Sequence, residues 1–244
     1  MKNKFYIIIF ITSLFSLSAT AQVYFGGKIG LNMGTLSTQP KLIIDTSSFA
    51  STIMPKATLN IAAIGYIEIG PYITIQPEIV YNRKGLKSRV DVMQQDTINV
   101  LGNYNYSFDY VEFPLMLKIS LKNEDFDPFV EIGAYYGYMF NASCTEEANY
   151  GNSKVLDNSF SLSTNPELFN REDSGFKLGI GATFPVSQGK LFFSIRYSQG
   201  IKNSMNYFKD NNTKYNTSYN RVFQISIGYL FEVKSNAKDK IYYY

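Results

Sequence analysis

Residues 108–120 read FDYVEFPLMLKIS, and apolar residues alternate with mixed residues along them. The apolar set is Val111, Phe113, Leu115, Leu117, Ile119 and Leu121, and the set between them is Glu112, Pro114, Met116, Lys118 and Ser120. A period of two residues places the two sets on opposite faces of a β-strand. One face is therefore wholly apolar and the other is partly charged, so the two faces need different surroundings.

Seven further segments share this alternation, although it is weaker in the second of them. They are residues 23–35, 59–69, 73–83, 130–140, 176–184, 191–198 and 222–231. All but the segment 191–198 are long enough to cross the hydrocarbon layer of a membrane as a tilted strand, which takes roughly 9 to 11 residues. We therefore predict eight strands.

The connections between these segments alternate in length. Residues 70–72, 122–127 and 185–189 are short and carry the Gly, Pro, Asn and Asp typical of turns, whereas residues 37–57, 85–106, 144–172 and 204–219 are long and polar. Outer-membrane barrels have short periplasmic turns and longer external loops. The pattern predicts an all-β protein, an eight-stranded antiparallel up-and-down transmembrane β-barrel with short periplasmic turns and long extracellular loops.

The ends of the 244-residue chain differ from the rest. Lys2 and Lys4 precede an apolar run that ends near Leu17, and residues 19–21 read Ala-Thr-Ala, the pattern of a cleaved signal peptide. We predict a signal peptide at 1–21, a barrel domain at 22–233 and a short charged and aromatic tail at 234–244. The expected location is the outer membrane, with its lipids and its assembly machinery as partners.

Charged residues recur on the predicted inward face. They are Lys28, Glu68, Glu78, Glu112, Lys118, Glu131, Lys177 and Arg196, four acids and four bases. An eight-stranded barrel has room inside only for its own side chains, and unpaired buried charges are costly. We therefore expect a charge-paired, closed lumen rather than an open pore, with Lys118 nearly opposite Glu131 across the hairpin centred on residues 124–125.

Two other features of the inward face carry expectations. Pro114 lacks an N–H group, so a bulge or local twist is expected there. The inward glycines are expected to make room for long charged side chains; they are Gly133, Gly137, Gly179, Gly181 and Gly228.

The amino-acid composition limits the types of active site and metal site that the chain can form. The chain contains no histidine and one cysteine, which excludes Ser-His hydrolases and Cys-rich zinc sites. Cys144 is expected in a loop without a function, and the pairs Glu146-Glu147 and Glu172-Asp173 are expected to be solvated in an external loop. The net charge of +3 does not indicate a surface that binds nucleic acid. We predict no enzyme activity, no cofactor and no metal.

Four short motifs resemble the PorT-like outer-membrane β-barrel family of the Bacteroidetes, often called the porin family. They are VYFGGKIGLN at 23–32, YVEFPLMLK at 110–118 (similar to the family's YLEIPLLLK strand), DPFVEIG at 127–133 and IGYLF at 227–231. The resemblance covers about residues 22–233 and implies an eight-stranded barrel. Most members have no established activity, and the namesake contributes to protein secretion. Residues 234–244 extend beyond the aromatic residue at which such chains usually end.

Three functions fit these patterns. The first is a structural or surface-interaction barrel that meets an unidentified surface ligand through its long loops. The second is a small-solute porin, and the balanced inward charges argue against it. A further alternative is a PorT-type accessory factor in secretion. The third, a soluble lipid-binding barrel, would turn the apolar faces inward and expose the charges. We adopt the first.

Overall fold

The computed structural model describes residues 22–39, 49–94, 97–150, 153–161, 170–204 and 217–233. These residues form nine strands: β1 (Gln22–Gln39), β2 (Phe49–Glu68), β3 (Ile73–Gln94), β4 (Thr97–Ser120), β5 (Asp127–Tyr150), β6 (Ser153–Ser161), β7 (Glu172–Val186), β8 (Gly189–Gly200) and β9 (Thr217–Glu232). The described part contains no helix long and apolar enough to cross a membrane. The predicted signal peptide and tail lie outside the described residues.

Eight of the strands close into a barrel. The sheet order is β4-β3-β2-β1-β9-β8-β7-β5-β6, and an additional β4–β5 pairing joins its ends. All the paired strands are antiparallel, and β6 pairs only with the last part of β5, from Ser143 to Tyr150. The predicted eight-stranded antiparallel barrel is thus confirmed, and β6 is an added strand outside the closed ring.

The predicted alternation separates the outside of the barrel from its interior. Outward apolar side chains are exposed on every strand of the ring; we call them the apolar belt. The belt spans residues 111–119 on β4 and 130–140 on β5, the length needed for a tilted membrane crossing. Aromatic residues lie at its two edges, such as Tyr81 and Phe140 at one and Phe184 and Phe231 at the other.

Short turns connect the strands at one end of the barrel, the short-turn end. They are residues 69–72, 121–126 and 187–188, which agrees with the prediction. Gly70 has φ of 91°, a backbone conformation that favours glycine. The opposite end is the long-loop end.

At the long-loop end the connections are long, as predicted, but much of their length is strand rather than loop. Residues 49–57, 85–94, 97–106 and 144–150 continue strands β2, β3, β4 and β5, and β6 also lies in a predicted loop. These extensions pair with one another well beyond the belt. We call them, with β6, the projecting sheet. The predicted strands ended too early because they were limited to segments with a continuous apolar outward row. Residues 103–108, Asn-Tyr-Asn-Tyr-Ser-Phe, alternate as well, but with polar side chains in place of that row.

The expected bulge at Pro114 is also wrong. Pro114 pairs with Tyr135 in continuous register, and the register shift in the β4–β5 ladder lies between Asp109 and Tyr110. On the other side, the β3–β4 ladder has a gap between Pro77 and Val80, but the register is the same before and after it. The missing N–H of proline therefore interrupts pairing without inserting a residue.

Candidate functional site: the charged lumen

The lumen is filled near the short-turn end by an aromatic and aliphatic plug. Its residues, which we call the lower plug, are Tyr24, Ala62, Ile64, Tyr66, Val80, Phe192 and Leu230. They come from β1, β2, β3, β8 and β9, and all are at most 5% exposed. These inward apolar side chains, which come from strands on different sides of the barrel, thus meet at the barrel axis. In an open pore, water would fill that space.

Above the lower plug lies a central network of charges. The Lys28 Nζ is 2.6 Å from Glu78 Oε2. The Arg196 guanidinium lies between two carboxylates, with Nη2 2.8 Å from Glu78 Oε1 and 2.9 Å from Glu131 Oε2. Charge-assisted, bidentate contacts of this kind are the strongest hydrogen bonds in proteins. One cation from β8 therefore joins acids on β3 and β5 across the barrel.

Lys118 completes this network in a different way. Lys118 and Glu131 are direct register partners, and Lys118 Nζ is 3.8 Å from Glu131 Oε2. Within the described part of the chain, this ammonium makes no hydrogen bond. It instead lies 3.8 Å from the ring centre of Phe129, 5.0 Å from Phe192 and 5.4 Å from Tyr66. Cation–π attraction to these rings supplies part of the stabilisation that water would provide.

A second, upper network lies nearer the long-loop end. The Lys84 Nζ is 2.6 Å from Glu112 Oε1 and 2.7 Å from Asp173 Oδ2, and Lys177 Nζ is 2.7 Å from Glu112 Oε2. All four side chains are at most 2% exposed. The two cations and two carboxylates alternate, so the network has no net charge.

Lys84 and Asp173 were not among the predicted lumen residues. Asp173 was expected in a solvated external loop, but it is buried in β7 and accepts hydrogen bonds from Tyr135 and Asn220. Its neighbour Glu172 is exposed and pairs with Lys202. Both could have been found from the alternation of inward and outward residues along a strand. Counted in steps of two residues, Lys84 lies on the same inward row as Glu78, and Asp173 lies on the same inward row as Lys177.

Glu68 lies apart from the other predicted charges. It contacts Lys190, at 2.5 Å, and Lys122, at 3.6 Å, on the rim of the short-turn end. Burial lowers the pKa of Lys122, but the hydrogen bond to Asp127 and the charge of Glu68 outweigh burial, so this pKa is raised. Of the eight predicted residues, seven thus belong to the two inner networks and Glu68 to the rim.

Between the networks, four amide side chains meet in the lumen. Asn60 Nδ2 donates to Asn32 Oδ1 at 2.6 Å, Gln224 Nε2 donates to the same oxygen at 2.9 Å, and Asn32 Nδ2 donates to Asn82 Oδ1 at 2.7 Å. They come from β1, β2, β3 and β9. They were not among the predicted lumen residues, which were charged residues only, although all four lie on the inward face of their strands.

The long-loop end of the lumen is closed by an upper plug of apolar residues. Its members are Leu86, Phe108, Tyr110, Met139 and Ala142. Cys144 is also fully buried in β5, so its expected position in a loop is wrong. The pair Glu146-Glu147 lies in the same strand rather than in a loop.

The inward glycines make room for large side chains, though not for charged ones alone. A Cβ at residue 179 would lie 2.7 Å from Glu131 Oε1 and 2.9 Å from Arg196 Cγ. A Cβ at residue 228 would instead lie 2.4 Å from the ring of Phe192. Both networks and plugs therefore depend on positions without a side chain.

The packing leaves twelve large side chains less than 2% exposed. They are Arg196, Tyr66, Tyr110, Lys84, Lys118, Lys177, Phe192, Met116, Leu230, Gln76, Glu112 and Val80. A groove of about 440 Å³ lies instead on the outer wall, among Leu117, Ile132 and Leu178 of the belt. In the described residues, no three Asp, Glu or Cys side chains are grouped as a metal site.

One comparison with known proteins identifies the family of this chain. The sequence model of a family described as "Outer membrane protein beta-barrel domain" matches residues 16–206. A search of curated proteins gives no match.

Among solved structures, the outer membrane protein OprG from Pseudomonas aeruginosa is 11% identical with a TM-score of 0.41, over 88% of this chain and 96% of that one. Neisserial surface protein A gives 11% and 0.42, over 86% and 97%. Ail, the attachment invasion locus protein of Yersinia pestis, gives 13% and 0.38, over 85% and 98%. Similarities this low transfer no function to the chain.

Proposed function

Because this chain belongs to the outer membrane protein β-barrel domain family, we propose that it is a non-enzymatic integral outer-membrane protein with a closed lumen. It acts as a structural or surface-interaction protein through the projecting sheet and the loops at its long-loop end. Its belt contacts outer-membrane lipids.

The observation that carries this proposal is the exclusion of solvent from the lumen. Twelve large side chains less than 2% exposed, from β2, β3, β4, β7, β8 and β9, succeed one another along the barrel. Water in a channel would contact at least some of them. The charges that would attract an ion are largely paired with one another, with contacts of 2.6–2.8 Å in both networks. Lys118 is the exception: its Nζ lies 3.8 Å from Glu131 and is surrounded by aromatic rings instead of water.

The long-loop end provides the exposed surface through which the protein contacts a partner in this proposal, since the lumen is closed. The projecting sheet includes residues 85–94 of β3 and residues 97–106 of β4, beyond the belt. Strands rise about 3.3 Å per residue, so ten residues reach roughly 30 Å from the belt edge along the strand. This end is the extracellular one in the proposal, and the short turns face the periplasm.

The finer parts of the proposal follow the sequence. Residues 1–21 are the export signal, 22–233 the barrel and 234–244 a separate tail, and the assembly machinery inserts the barrel. Membership of the PorT-like family rests on the Glu112-Phe113-Pro114 strand motif. An accessory role in secretion is a second alternative, and no residue of the chain singles it out. The extracellular ligand has no chemical identity in this proposal.

Single-channel recording from the refolded protein in a planar bilayer tests the closed lumen. A heat-dependent gel shift verifies folding, and an open porin inserted in the same bilayer is the positive control. The proposal predicts a silent bilayer. Steady open conductance would overturn the closed lumen and make the protein a small-solute channel.

The orientation has its own test. An epitope inserted between residues 95 and 96 should be labelled by antibody on intact cells, and the same epitope inserted between residues 123 and 124 should be labelled only after the outer membrane is permeabilised. The reverse pattern would place the projecting sheet in the periplasm and refute a surface role.

A further inference from the structure

A row of three cations lies on the outer wall just beyond the belt. Tyr81 is the last belt residue of β3, and Arg83 and Lys87 follow it on the same outward face. Lys56 of β2 lies between them. We call Lys56, Arg83 and Lys87 the basic row. Because residues two apart on a strand are separated by nearly 7 Å, the row begins at the belt edge and rises about 13 Å along the strand.

Arg83 is held in place by a carboxylate in the wall. Its Nε is 2.6 Å from Asp109 Oδ1, and Asp109 also accepts hydrogen bonds from Tyr81 and Asn141, at 2.8 and 2.9 Å. Burial raises the pKa of Asp109, but the hydrogen bonds from Arg83, Asn141 and Tyr81 outweigh it, so the pKa is held below its usual value. The Arg83 side chain is still 47% exposed.

Lys56 is placed by the absence of a side chain at Gly85. A Cβ at residue 85 would lie 3.0 Å from Lys56 Cδ, so the lysine stem occupies the outward site between Arg83 and Lys87. Its Nζ donates to Ser107 Oγ at 2.8 Å. Burial, and then the charges of Arg83 and Lys87, lower the pKa of Lys56. The three cations are thus close enough to repel one another.

The row has an excess of positive charge at the height of lipid headgroups. Among the described side chains of this patch, the three cations face one carboxylate, Asp109, and that carboxylate is already bound to Arg83. The polar headgroup region extends roughly 5 to 8 Å beyond the hydrocarbon on each side, which is the level of Arg83, and Lys56 and Lys87 lie farther out, where their long side chains can reach back to it. Basic residues at this depth attract anionic lipid headgroups.

We propose that the basic row binds the phosphate groups of lipids in the leaflet at the long-loop end. Phosphate oxygens then accept from Lys56, from Lys87 and from the exposed edge of the Arg83 guanidinium, which relieves the repulsion among the three. Asp109 keeps Arg83 oriented while Tyr81 packs beside the lipid chain.

The opposite wall serves as an internal comparison. Lys202 is paired with Glu172, and Arg221 donates to Gln199 at 3.1 Å. These two cations lie at the same end of the barrel. They therefore provide a matched pair whose removal changes the net charge equally.

Native mass spectrometry of the folded protein tests the proposal. The protein is taken from mixed micelles that contain equal amounts of phosphatidylglycerol and phosphatidylcholine, and the lipids retained on it are counted. The wild type should retain phosphatidylglycerol preferentially. The double variant Lys56→Gln/Lys87→Gln should weaken this retention about five-fold for each cation removed, whereas Lys202→Gln/Arg221→Gln should leave it unchanged.

The gel shift shows that each variant is folded before its lipids are counted. Equal retention by the wild type and Lys56→Gln/Lys87→Gln would overturn the proposal, as would an equal loss in the control variant, which would indicate only net charge. Displacement of the lipid by millimolar inorganic phosphate would show a site for the free anion and would also overturn the assignment to lipid.

Discussion

Glu112→Gln is the most informative single substitution in the lumen. Glu112 is 0% exposed, forms an ion pair with Lys84 at 2.6 Å and accepts a hydrogen bond from Lys177 at 2.7 Å. The glutamine preserves the volume but removes the negative charge, so the upper network changes from neutral to +1. Lys84 keeps Asp173 at 2.7 Å, whereas Lys177 loses the carboxylate it contacts. Removal of one partner of a buried pair costs about 3 to 5 kcal/mol.

The double variant Glu112→Gln/Lys177→Met separates charge imbalance from lost packing. It deletes one cation and one anion, keeps the Lys84–Asp173 pair and leaves the network neutral. Replacement of a buried ion pair by side chains of similar volume is often close to neutral, so we expect the double variant to lie within about 1 kcal/mol of the wild type. The coupling energy between the two positions should then be at least about 2 kcal/mol.

Urea unfolding in lipid vesicles, followed by the gel shift between folded and unfolded bands, gives these free energies. The gel shift suits a chain without tryptophan, whose fluorescence is weak. Glu172→Gln, at the exposed pair with Lys202, is the control and should show no measurable change. If Glu112→Gln costs less than about 1 kcal/mol, or if the double variant is as unstable as the sum of its single changes, the paired-charge account is refuted.

Three further substitutions test the wall and the rim. Gly179→Ala should destabilise the barrel by about 1 to 3 kcal/mol, because its Cβ would displace Glu131 and Arg196, while Gly27→Ala on the outer face should cost less; equal costs would contradict this. Leu115→Arg in the middle of the belt should cost about 2 to 4 kcal/mol in vesicles, and Leu121→Arg beyond the end of β4 about 0 to 1; the reverse order would show that the belt does not face lipid. Asp109→Asn should destabilise the protein at neutral pH. Because the folded pKa of Asp109 is lowered, its contribution is present above the unfolded pKa of about 4 and is lost as pH falls through the folded pKa, so the difference between wild type and variant should shrink below about pH 4; a constant difference would contradict the sign.

Whether a strand can be recognised from the sequence depends on the surroundings of its two faces. Where the outer face meets lipid and the inner face meets polar side chains, the two-residue period is strong, and the strand at 111–119 could be recognised from its letters alone. In the projecting sheet the outward row becomes charged, at Arg83, Lys87 and Arg89, so residues 85–94 look like a loop although they pair with β4.

The sequence predicts which residues belong to the inner networks but not which of them contact one another. Parity places Glu78 and Arg196 inside, yet the bridge between them joins β3 and β8, which are not neighbours in the sheet. Such a contact depends on barrel closure and on the tilt of the strands. Lys84 was missed for a simpler reason, because the outward apolar row ends at Tyr81 and the strand was expected to end at residue 83.

Thiol accessibility at Ser194 tests the closed lumen most directly. Ser194 is 1% exposed and faces the interior between the lower plug and Arg196, and its hydroxyl has no hydrogen-bond partner among the described residues. In a Cys144→Ser background, Ser194→Cys should not react with a small methanethiosulfonate reagent while the barrel is folded, should react after heating, and should contrast with rapid reaction of Gln188→Cys in the short turn. Reaction of Ser194→Cys in the folded barrel at a rate comparable to that of Gln188→Cys would show a water-filled lumen and contradict the account.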